Sequence, residues 1–469
     1  MRKKGDTMQY RIESDVLGRV RVPKDAYYGS ETQRVVDNFK ISGEKISWKM
    51  IEAYIIIKKA AAISNMKIGK LDKKRGRAII MACNEVLSGN LSDQFVTDIF
   101  QAGAGTNINM NVNEVLANRA IEMLKGKKGD YRIVHPNDHV NMSQSTNDTF
   151  PSAIQISCYL ASKNSLLPAL RKLETALAKK SREFAKTIKV GRTHLQDAVP
   201  MTLGQEFSGY CGAISHAIDF LENNYVALLE LPLGGTAVGT GLNAGKRYAA
   251  EAVKEINRMT GAKFFITDNR FKIMQGQQSI LSISDVLKEA AISISKIAND
   301  LRLLTSGPRT GISEITLPAI LPGSSIMPGK INPSMAEMMN MVCFEVIGLS
   351  HANDIAAESA QLELNVFTPI IAYNLLFSIN ILSNAINALA DRCISGIKTN
   401  KKIIEQHLSM DLSIATALTP YISYAKAATI VRTAYLKHKS IKEVCLDMKI
   451  LDKKTLDRLL DPRREVFGK

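Results

Sequence analysis

Residues 283–304 read ISDVLKEAAISISKIANDLRLL, and apolar side chains recur in this stretch at alternating steps of four and three residues. The recurring positions are Ile283, Leu287, Ala290, Ile294, Ile297, Leu301 and Leu304. This spacing places them along one side of an α-helix, as a seam that packs lengthwise against other helices. Leu166, Leu170, Leu173 and Leu177 repeat the spacing around Pro168. The sequence therefore predicts a mainly α fold, with strand-like alternation confined to residues 11–22.

A second long segment, from Leu364 to Ala390, contains no charged residue. Asparagine and serine side chains interrupt it too often for a membrane span, so no membrane association is predicted. We expect a helix that begins near Pro369 and is buried among other helices. Because such burial requires partners on several sides, the segment also predicts oligomerisation.

Length and charge limit the remaining possibilities. A chain of 469 residues exceeds one ordinary hydrophobic core, which predicts several domains or one extended bundle with appendages. The 61 Lys and Arg against 45 Asp and Glu give a net charge of +16. The basic residues are scattered, as at Lys58-Lys59, and aromatics make up only 6%, so we interpret them as solvated surface charge. No nucleic-acid partner is predicted; salt-sensitive binding to nucleic acid would argue otherwise.

The cysteines and the first residues predict a cytoplasmic protein. The six cysteines are widely spaced without a CxxC pair, which fits a reducing compartment. Met1–Asp6 is basic and leads into polar sequence, so no secretory signal is expected. With no metal-ligand cluster and no dinucleotide fingerprint, neither a metal nor a cofactor is predicted.

The polar stretch 323–332 reads GSSIMPGKIN and has the composition of an anion-binding loop. Gly323 and Gly329 are predicted to adopt positive φ, so that backbone N–H groups turn inward, and Lys330 adds a positive charge. Asn332-Pro333 has the form of a helix start, with Asn as cap and Pro in the first helical position. An ordinary capped helix entrance is the alternative for that pair.

Three further polar clusters stand apart from the helix seams. Residues 103–107 lead into a helix on which Asn107, Asn111, Glu114 and Asn118 share one face, able to hold a carboxylate or one another. Residues 143–148 precede a helix that we expect Pro151 to open, with simple N-capping as the alternative. Residues 191–197 place Thr193 and His194 beside Arg192 and Asp197 in a predicted loop, where a lone histidine is more often structural.

Together these stretches resemble the fumarase/aspartase superfamily over essentially the whole chain. The loop 323–332 resembles the signature of that superfamily, and residues 135–141 (HPNDHVN), 191–198 (GRTHLQDA) and 239–243 (GTGLN) are similar to its other motifs. The resemblance implies a three-domain lyase with a central bundle of long helices, divided near residues 1–140, 141–396 and 397–469. It also implies a homotetramer with a shared multi-helix core and active sites shared between subunits.

Within the superfamily two activities compete. Ser145-Thr146-Asn147, the absence of Gln after Thr106, and Gln361–Asn365 resemble aspartate ammonia-lyases. Residues 233–236 (LGGT) and 268–271 (DNRF) are more similar to class II fumarate hydratases, and residues 271–279 match neither pattern. We expect an aspartate ammonia-lyase acting on a small dicarboxylate, with fumarate hydratase as the alternative.

The resemblance also implies roles for individual residues. Ser324 takes the proton from L-aspartate, although His194 is the competing base on its intrinsic pKa. Hydroxyls and N–H groups stabilise the resulting dianionic aci-carboxylate, Lys330 and Asn332 hold the α-carboxylate, and Asn147 and His194 hold the amino group. The remaining substrate-binding residues are Thr106, Ser145, Thr146, Thr193 and Ser325. A non-enzymatic scaffold of the same fold would not need these clusters intact.

Overall fold

The computed structural model describes residues 9–468, so the prediction that Met1–Asp6 carries no secretory signal lies outside the described residues. The described chain is mainly α-helical, as predicted. Its helices are α1 (Ser30–Asn38), α2 (Trp48–Lys67), α3 (Lys73–Leu87), α4 (Thr106–Met123), α5 (Thr146–Ala161), α6 (Leu167–Glu183), α7 (Leu203–Leu229), α8 (Tyr248–Thr260), α9 (Arg270–Gln275), α10 (Gln278–Leu304), α11 (Ser334–Glu358), α12 (Thr368–Arg392), α13 (Lys401–Met410), α14 (Tyr424–Lys437), α15 (Ile441–Asp447), α16 (Lys453–Leu459) and α17 (Pro462–Phe467).

The strands form small two-stranded sheets. They are β1 (Tyr10–Asp15), β2 (Gly18–Pro23), β3 (Ile188–Thr193), β4 (Gln196–Thr202), β5 (Glu230–Leu231), β6 (Phe265–Ile266), β7 (Ile315–Thr316) and β8 (Lys398–Thr399). The antiparallel β1–β2 hairpin is the predicted N-terminal strand region. The β3–β4 hairpin was not predicted from the alternation, because a register shift between Val190 and Gly191 interrupts its period of two.

Both predicted helix seams are confirmed. All seven seam residues of 283–304 lie in α10 and are buried, and so are Leu166, Leu170, Leu173 and Leu177. The uncharged segment forms α12, with Pro369 as its second residue. Residues 368–396 are long and apolar enough to cross a membrane, but 67% of the apolar window is buried within the structure. That burial is typical of a core helix.

The chain divides into two compact units. The first comprises the described residues up to Pro168, together with Asp219–Glu289 and Phe344–Leu382. Within it, α2 packs against α3, α5 and α8. This position explains one error of the sequence analysis: Lys58, interpreted as surface charge, is completely buried in α2.

The second unit comprises Ala169–Ile218, Ala290–Cys343 and the described residues from Ser383 onward. Its β3–β4 hairpin packs against α13 and α17. A hydrophobic cluster joins α14, α15 and α16 and includes Ile430, Val444 and Leu456. The division into three domains at residues 140 and 396 stays a prediction.

Candidate functional site

The first polar cluster lies at the start of α4, in the first unit. Ala104 and Gly105 both have positive φ, at 57° and 78°, so the chain turns sharply just before Thr106. A Cβ on Gly105 would collide with the ring of Phe150, which leaves room only for glycine there. Thr106 is exposed as the first residue of the helix. The turn therefore presents the Thr106 hydroxyl to the solvent, while the N–H of Ile108 in the same helical turn donates to the Gln101 side chain at 3.1 Å.

The polar face of α4 was predicted to hold a carboxylate or to bond within itself, and three of its four residues bond neighbouring backbone instead. The amide of Asn111 donates to the carbonyl of Gln94 at 3.0 Å and accepts from the N–H of Val96 at 3.1 Å. The Asn118 amide bonds the backbone in the same manner. Glu114 accepts N–H groups at the start of α1, and burial raises its pKa to about 7. These side chains secure the fold, because buried backbone groups require partners.

The second cluster caps α5 five residues earlier than predicted. The helix begins at Thr146, and Pro151 lies inside it. The Ser145 hydroxyl accepts from the N–H of Asn147 at 3.2 Å, while Asp148 accepts from the N–H of Ser145 at 2.9 Å. This reciprocal capping box fixes the helix start, and Pro151 falls in the second turn, where the helix forgoes one backbone hydrogen bond.

Asp148 ties this helix start to a distant loop. Its second carboxylate oxygen accepts from the backbone N–H groups of Gly234 at 2.8 Å and Thr236 at 3.1 Å. The side chain is completely buried, and this burial raises its pKa to about 6. The backbone donors partly oppose the shift because they favour the ionised form. Asp148 is thus a structural anchor of the cluster.

The amide of Asn147 has a fixed orientation. Its Nδ2 donates to the carbonyl oxygen of Ala237 at 2.8 Å. A carbonyl oxygen only accepts hydrogen bonds, so the nitrogen end must face Ala237. The Oδ1 atom is consequently directed elsewhere, as an acceptor for a ligand's N–H or O–H group.

Thr146 receives a hydrogen bond from a residue that the sequence analysis did not single out. Asn109, in the first turns of α4, donates from Nδ2 to the Thr146 hydroxyl oxygen at 2.9 Å. Asn109 in turn accepts from the buried ammonium group of Lys58 at 2.7 Å. The apolar triplets Ile55–Ile57 and Ala60–Ala62 around Lys58 and Lys59 indicate a buried stretch of helix, but they do not tell which of the two lysines is buried. The starts of α4 and α5, with Thr106 and Thr146, therefore lie side by side in the first unit.

The third cluster lies in the second unit, in the β3–β4 hairpin. His194 and Leu195 form its two-residue turn, both with positive φ, at 56° and 59°. Such angles match a type I′ turn but strain residues that have a Cβ. His194 and Thr193 are exposed at this tip. The turn thus holds the imidazole away from the body of the hairpin.

Arg192 stabilises the β3–β4 hairpin through an ion pair. Its guanidinium lies 2.7 Å from the carboxylate of the fully buried Glu314, which also pairs with Lys189 at 3.0 Å. Although burial raises the pKa of Glu314, the charges of Lys189 and Arg192 outweigh it and the pKa is lowered. Removing either cation would leave a buried charge underpaired, so the cluster stabilises the hairpin.

The loop 323–332 also lies in the second unit and is largely exposed. The Ser324 hydroxyl oxygen accepts from the backbone N–H groups of Ile326 at 3.2 Å and Met327 at 3.0 Å. Hydrogen bonds donated to an oxygen favour its anionic form, so these two donors assist loss of the hydroxyl proton. Ser325 follows as an exposed residue.

Two details of this loop differ from the expectation. Gly329 has a positive φ of 80°, but Gly323 does not; a Cβ at position 323 would instead collide with the carbonyl oxygen of Lys330. Helix α11 begins at Ser334, and Asn332 does not cap it. The Asn332 amide closes the loop by donating to the carbonyl of Gly323 at 2.6 Å. This bond leaves Lys330 exposed near the loop's base.

The structure thus groups the predicted residues in three places. Ser145, Thr146 and Asn147 lie together near Thr106, all in the first unit. In the second unit, Thr193 and His194 occupy the hairpin tip, and Ser324, Ser325, Lys330 and Asn332 share one loop. Each place offers groups suited to an anionic ligand.

Comparison with known families covers most of the chain. A family model described as "Lyase" matches residues 18–348, and one described as "Fumarase C C-terminus" matches residues 414–464. Both matches follow the chain in order and agree with the predominance of long helices.

Curated relatives divide between two activities. An aspartate ammonia-lyase of Bacillus subtilis is 45% identical, covering 97% of this chain and 95% of its own length. A class II fumarate hydratase of Wigglesworthia glossinidia brevipalpis is also 45% identical, covering 98% of this chain and 99% of its own length. Among solved structures, a class II fumarase from Schistosoma mansoni aligns with a TM-score of 0.95 at 36% identity, covering 98% of this chain and 100% of that one.

Proposed function

This chain belongs to the fumarase/aspartase superfamily of lyases, and from that premise we propose that it is an aspartate ammonia-lyase. The reaction removes ammonia from L-aspartate and yields fumarate, reversibly. In the forward direction a base takes a proton from the carbon beside the β-carboxylate. The electron pair then forms the carbon–carbon double bond as the carbon–nitrogen bond breaks and ammonia leaves.

The intermediate is an aci-carboxylate with two negative charges, and its stabilisation decides the rate. In the proposed site the hydrogen-bond donors are the hydroxyls of Thr106, Thr146 and Ser325. The Ser145 hydroxyl is a fourth donor, because its oxygen accepts the capping hydrogen bond and its O–H remains free to donate. The starts of α4 and α5 add the positive ends of two helix dipoles. Lys330 and Asn332 are proposed to bind the α-carboxylate, and Thr193 to line the site beside His194.

Ser324 is proposed as the base. Two backbone N–H groups already bond its hydroxyl oxygen, at 3.2 and 3.0 Å, and would stabilise the oxyanion. Closure of the loop over the substrate would exclude water and strengthen these bonds further. His194 is proposed to hold the amino group from the hairpin tip.

The observation that carries the choice of aspartate is the sequence Ser145-Thr146-Asn147, which resembles aspartate ammonia-lyases, and the amide of Asn147 is compatible with it. Because Nδ2 is held by the carbonyl of Ala237 at 2.8 Å, Oδ1 is left as an acceptor for the protons of a substrate ammonium group. The aspartase-like residue Thr146 precedes it. An acceptor suits an ammonium group, which has only hydrogens to offer.

Class II fumarate hydratase is the second candidate. Class II fumarate hydratases match at 43 to 46% identity, and residues 233–236 and 268–271 resemble that activity. Asn147 Oδ1 could equally accept from the hydroxyl of L-malate. Only the substrate distinguishes the two enzymes.

The assembly is proposed to be a homotetramer in the cytoplasm, with sites completed by more than one subunit. The seam of α10 and most of α12 are already buried within one chain, so the support comes from apolar side chains left exposed on α10 and α11, namely Ile292, Met341 and Phe344. Sedimentation of the active protein tests it: a fully active monomer would be incompatible with shared sites.

The activity is tested by following the ultraviolet absorbance of fumarate with purified protein, separately on L-aspartate and L-malate. We expect fumarate to form from L-aspartate. Turnover of L-malate with none of L-aspartate would replace the proposal by fumarate hydratase.

A further inference from the structure

Lys58 is a fully buried lysine whose ammonium group contacts only neutral hydrogen-bond partners. Its Nζ donates to Asn109 Oδ1 at 2.7 Å, Asn141 Oδ1 at 2.8 Å and Gln144 Oε1 at 3.0 Å. Three oxygens thus match the three hydrogens of an ammonium group. Burial lowers the pKa of Lys58 to about 7, opposed by the charge of Asp148. A buried cation without a bonded carboxylate is costly, which sets Lys58 apart from an ordinary structural lysine.

The ammonium fixes the orientation of all three amides, because it offers only donors. Asn109 must turn its oxygen to Lys58, so its Nδ2 faces the Thr146 hydroxyl at 2.9 Å. The Gln144 Nε2 correspondingly donates to the carbonyls of Val140 and Met142, each at 3.1 Å. Lys58 therefore determines which polar atoms face the start of α5.

These orientations determine where the hydroxyl proton of Thr146 can be donated. Its hydroxyl oxygen accepts from Asn109, so the hydroxyl cannot donate back to that amide. Within residues 9–468 the Thr146 hydroxyl donates no hydrogen bond to another group. The residue as a whole is 8% exposed, so Thr146 is not completely enclosed by the protein. Thr146 is thereby preset as a donor to an anion.

We propose that Lys58 and Asn109 are positioning residues that hold the Thr146 hydroxyl as a hydrogen-bond donor to the substrate carboxylate. The inference rests on the proposed function, in which Thr146 stabilises the aci-carboxylate. Neither residue needs to touch the substrate. Because the donor is oriented before the reaction, no reorganisation is required when charge develops.

The decisive variant is Asn109→Asp. A carboxylate at this position keeps the contact with Lys58, as an ion pair, but has no N–H group to donate to Thr146. The Thr146 proton would then turn to that carboxylate and away from the substrate. We expect kcat to fall by up to about 100-fold with little change in KM, since the lost bond acts mainly in the transition state.

A double-mutant cycle with Thr146→Val separates this role from a general structural defect. The Thr146→Val variant should lose at least as much kcat as Asn109→Asp, and the double variant should lose no more than Thr146→Val alone. If the two losses multiply, or if Asn109→Asp keeps full kcat, the inference is wrong.

Lys58→Met and Lys59→Met form a matched pair on adjacent residues of α2. Lys58→Met frees the Asn109 amide to rotate and should lower kcat, whereas Lys59→Met, on the half-buried neighbour, should stay within about twofold of the wild type. Should Lys58→Met fail to fold, Asn109→Asp still decides. Two outcomes separate the proposed function from this inference. If the wild-type protein is inactive on both L-aspartate and L-malate, the proposed function and this inference are both wrong. If the wild type is active and the Asn109→Asp variant is equally active, only this inference is wrong.

Discussion

The segment 143–148 and the loop 323–332 both contain predicted substrate-binding residues, but hydrogen bonds hold them in different ways. Asp148 and the neighbouring amides of the segment bond residues far along the chain, including Gly234 and Lys58, and every residue of the segment is buried or half-buried. The loop bonds mainly within itself, as Ser324 does to Met327 and Asn332 does to Gly323, and it is largely exposed. We therefore expect the segment to be preorganised for charge stabilisation and the loop to complete its arrangement only when substrate binds.

The largest effect should come from the exposed loop. Ser324→Ala removes the proposed base, and we expect kcat to fall by about 100- to 10,000-fold. Binding of a non-reactive dicarboxylate should be nearly unchanged, because the hydroxyl acts on the proton and does not anchor a carboxylate. Steady-state kinetics and analogue titration measure the two quantities.

The loss of activity in His194→Ala is to be compared with the loss in Ser324→Ala. If the imidazole only orients the amino group, its loss should be intermediate, about tenfold in kcat/KM. A Ser324→Ala variant that keeps most of its activity, beside a His194→Ala variant that loses nearly all, would make the histidine the base.

Lys330→Ala should act on binding. Without its cation the α-carboxylate loses a charge-assisted hydrogen bond of about 1.5 to 3 kcal/mol, so we expect KM to rise about 10- to 100-fold. Lys59→Ala removes a lysine outside the proposed site and should leave KM unchanged. Equal KM values for the Lys330→Ala variant and the wild type would remove Lys330 from the site.

Asp148, in the segment 143–148, should make the stability of the protein depend on pH. Burial raises the pKa of Asp148 from 3.8 to about 6, so the folded state binds this proton more tightly than the unfolded state does. Its stabilising contribution is fully present below pH about 4 and is lost as pH rises through about 6, a fall of about 3 kcal/mol in unfolding free energy. Glu114, whose pKa burial raises to about 7, contributes a fall in the same direction, so denaturation curves between pH 4 and 7 should show a fall in Asp148→Asn that is about 3 kcal/mol smaller than in the wild type.

The loop supplies the control for this measurement. Ser324→Ala should follow the wild-type pH dependence, since the hydroxyl does not titrate in this range. If the unfolding free energies of Asp148→Asn and the wild type change in parallel with pH, Asp148 does not cause the loss of stability.

The sequence predicted those features that repeat or that resemble known motifs. The seam from Ile283 to Leu304 and the helix near Pro369 followed from periodicity and missing charge, which depend only on local spacing. The start of α5 was misplaced because Pro151 was weighted above the capping box of Ser145 and Asp148. Both residues are visible in the sequence, so that error was avoidable.

Other features depend on contacts that no local pattern encodes. Asn332 was expected to cap a helix but bonds Gly323, a choice set by the path of the loop. Lys58 resembled its neighbour Lys59, and only the packing of α2 against α3, α5 and α8 decides which lysine is buried. The three residues that receive its hydrogen bonds lie 51 or more positions away.

The most direct test of the proposed activity runs the reaction backward. Purified protein is incubated with fumarate and ammonium chloride in water, and the products are identified by nuclear magnetic resonance. An aspartate ammonia-lyase will form L-aspartate, and only when ammonium is present. Accumulation of L-malate at the same rate with or without ammonium, and no L-aspartate, would contradict the proposal.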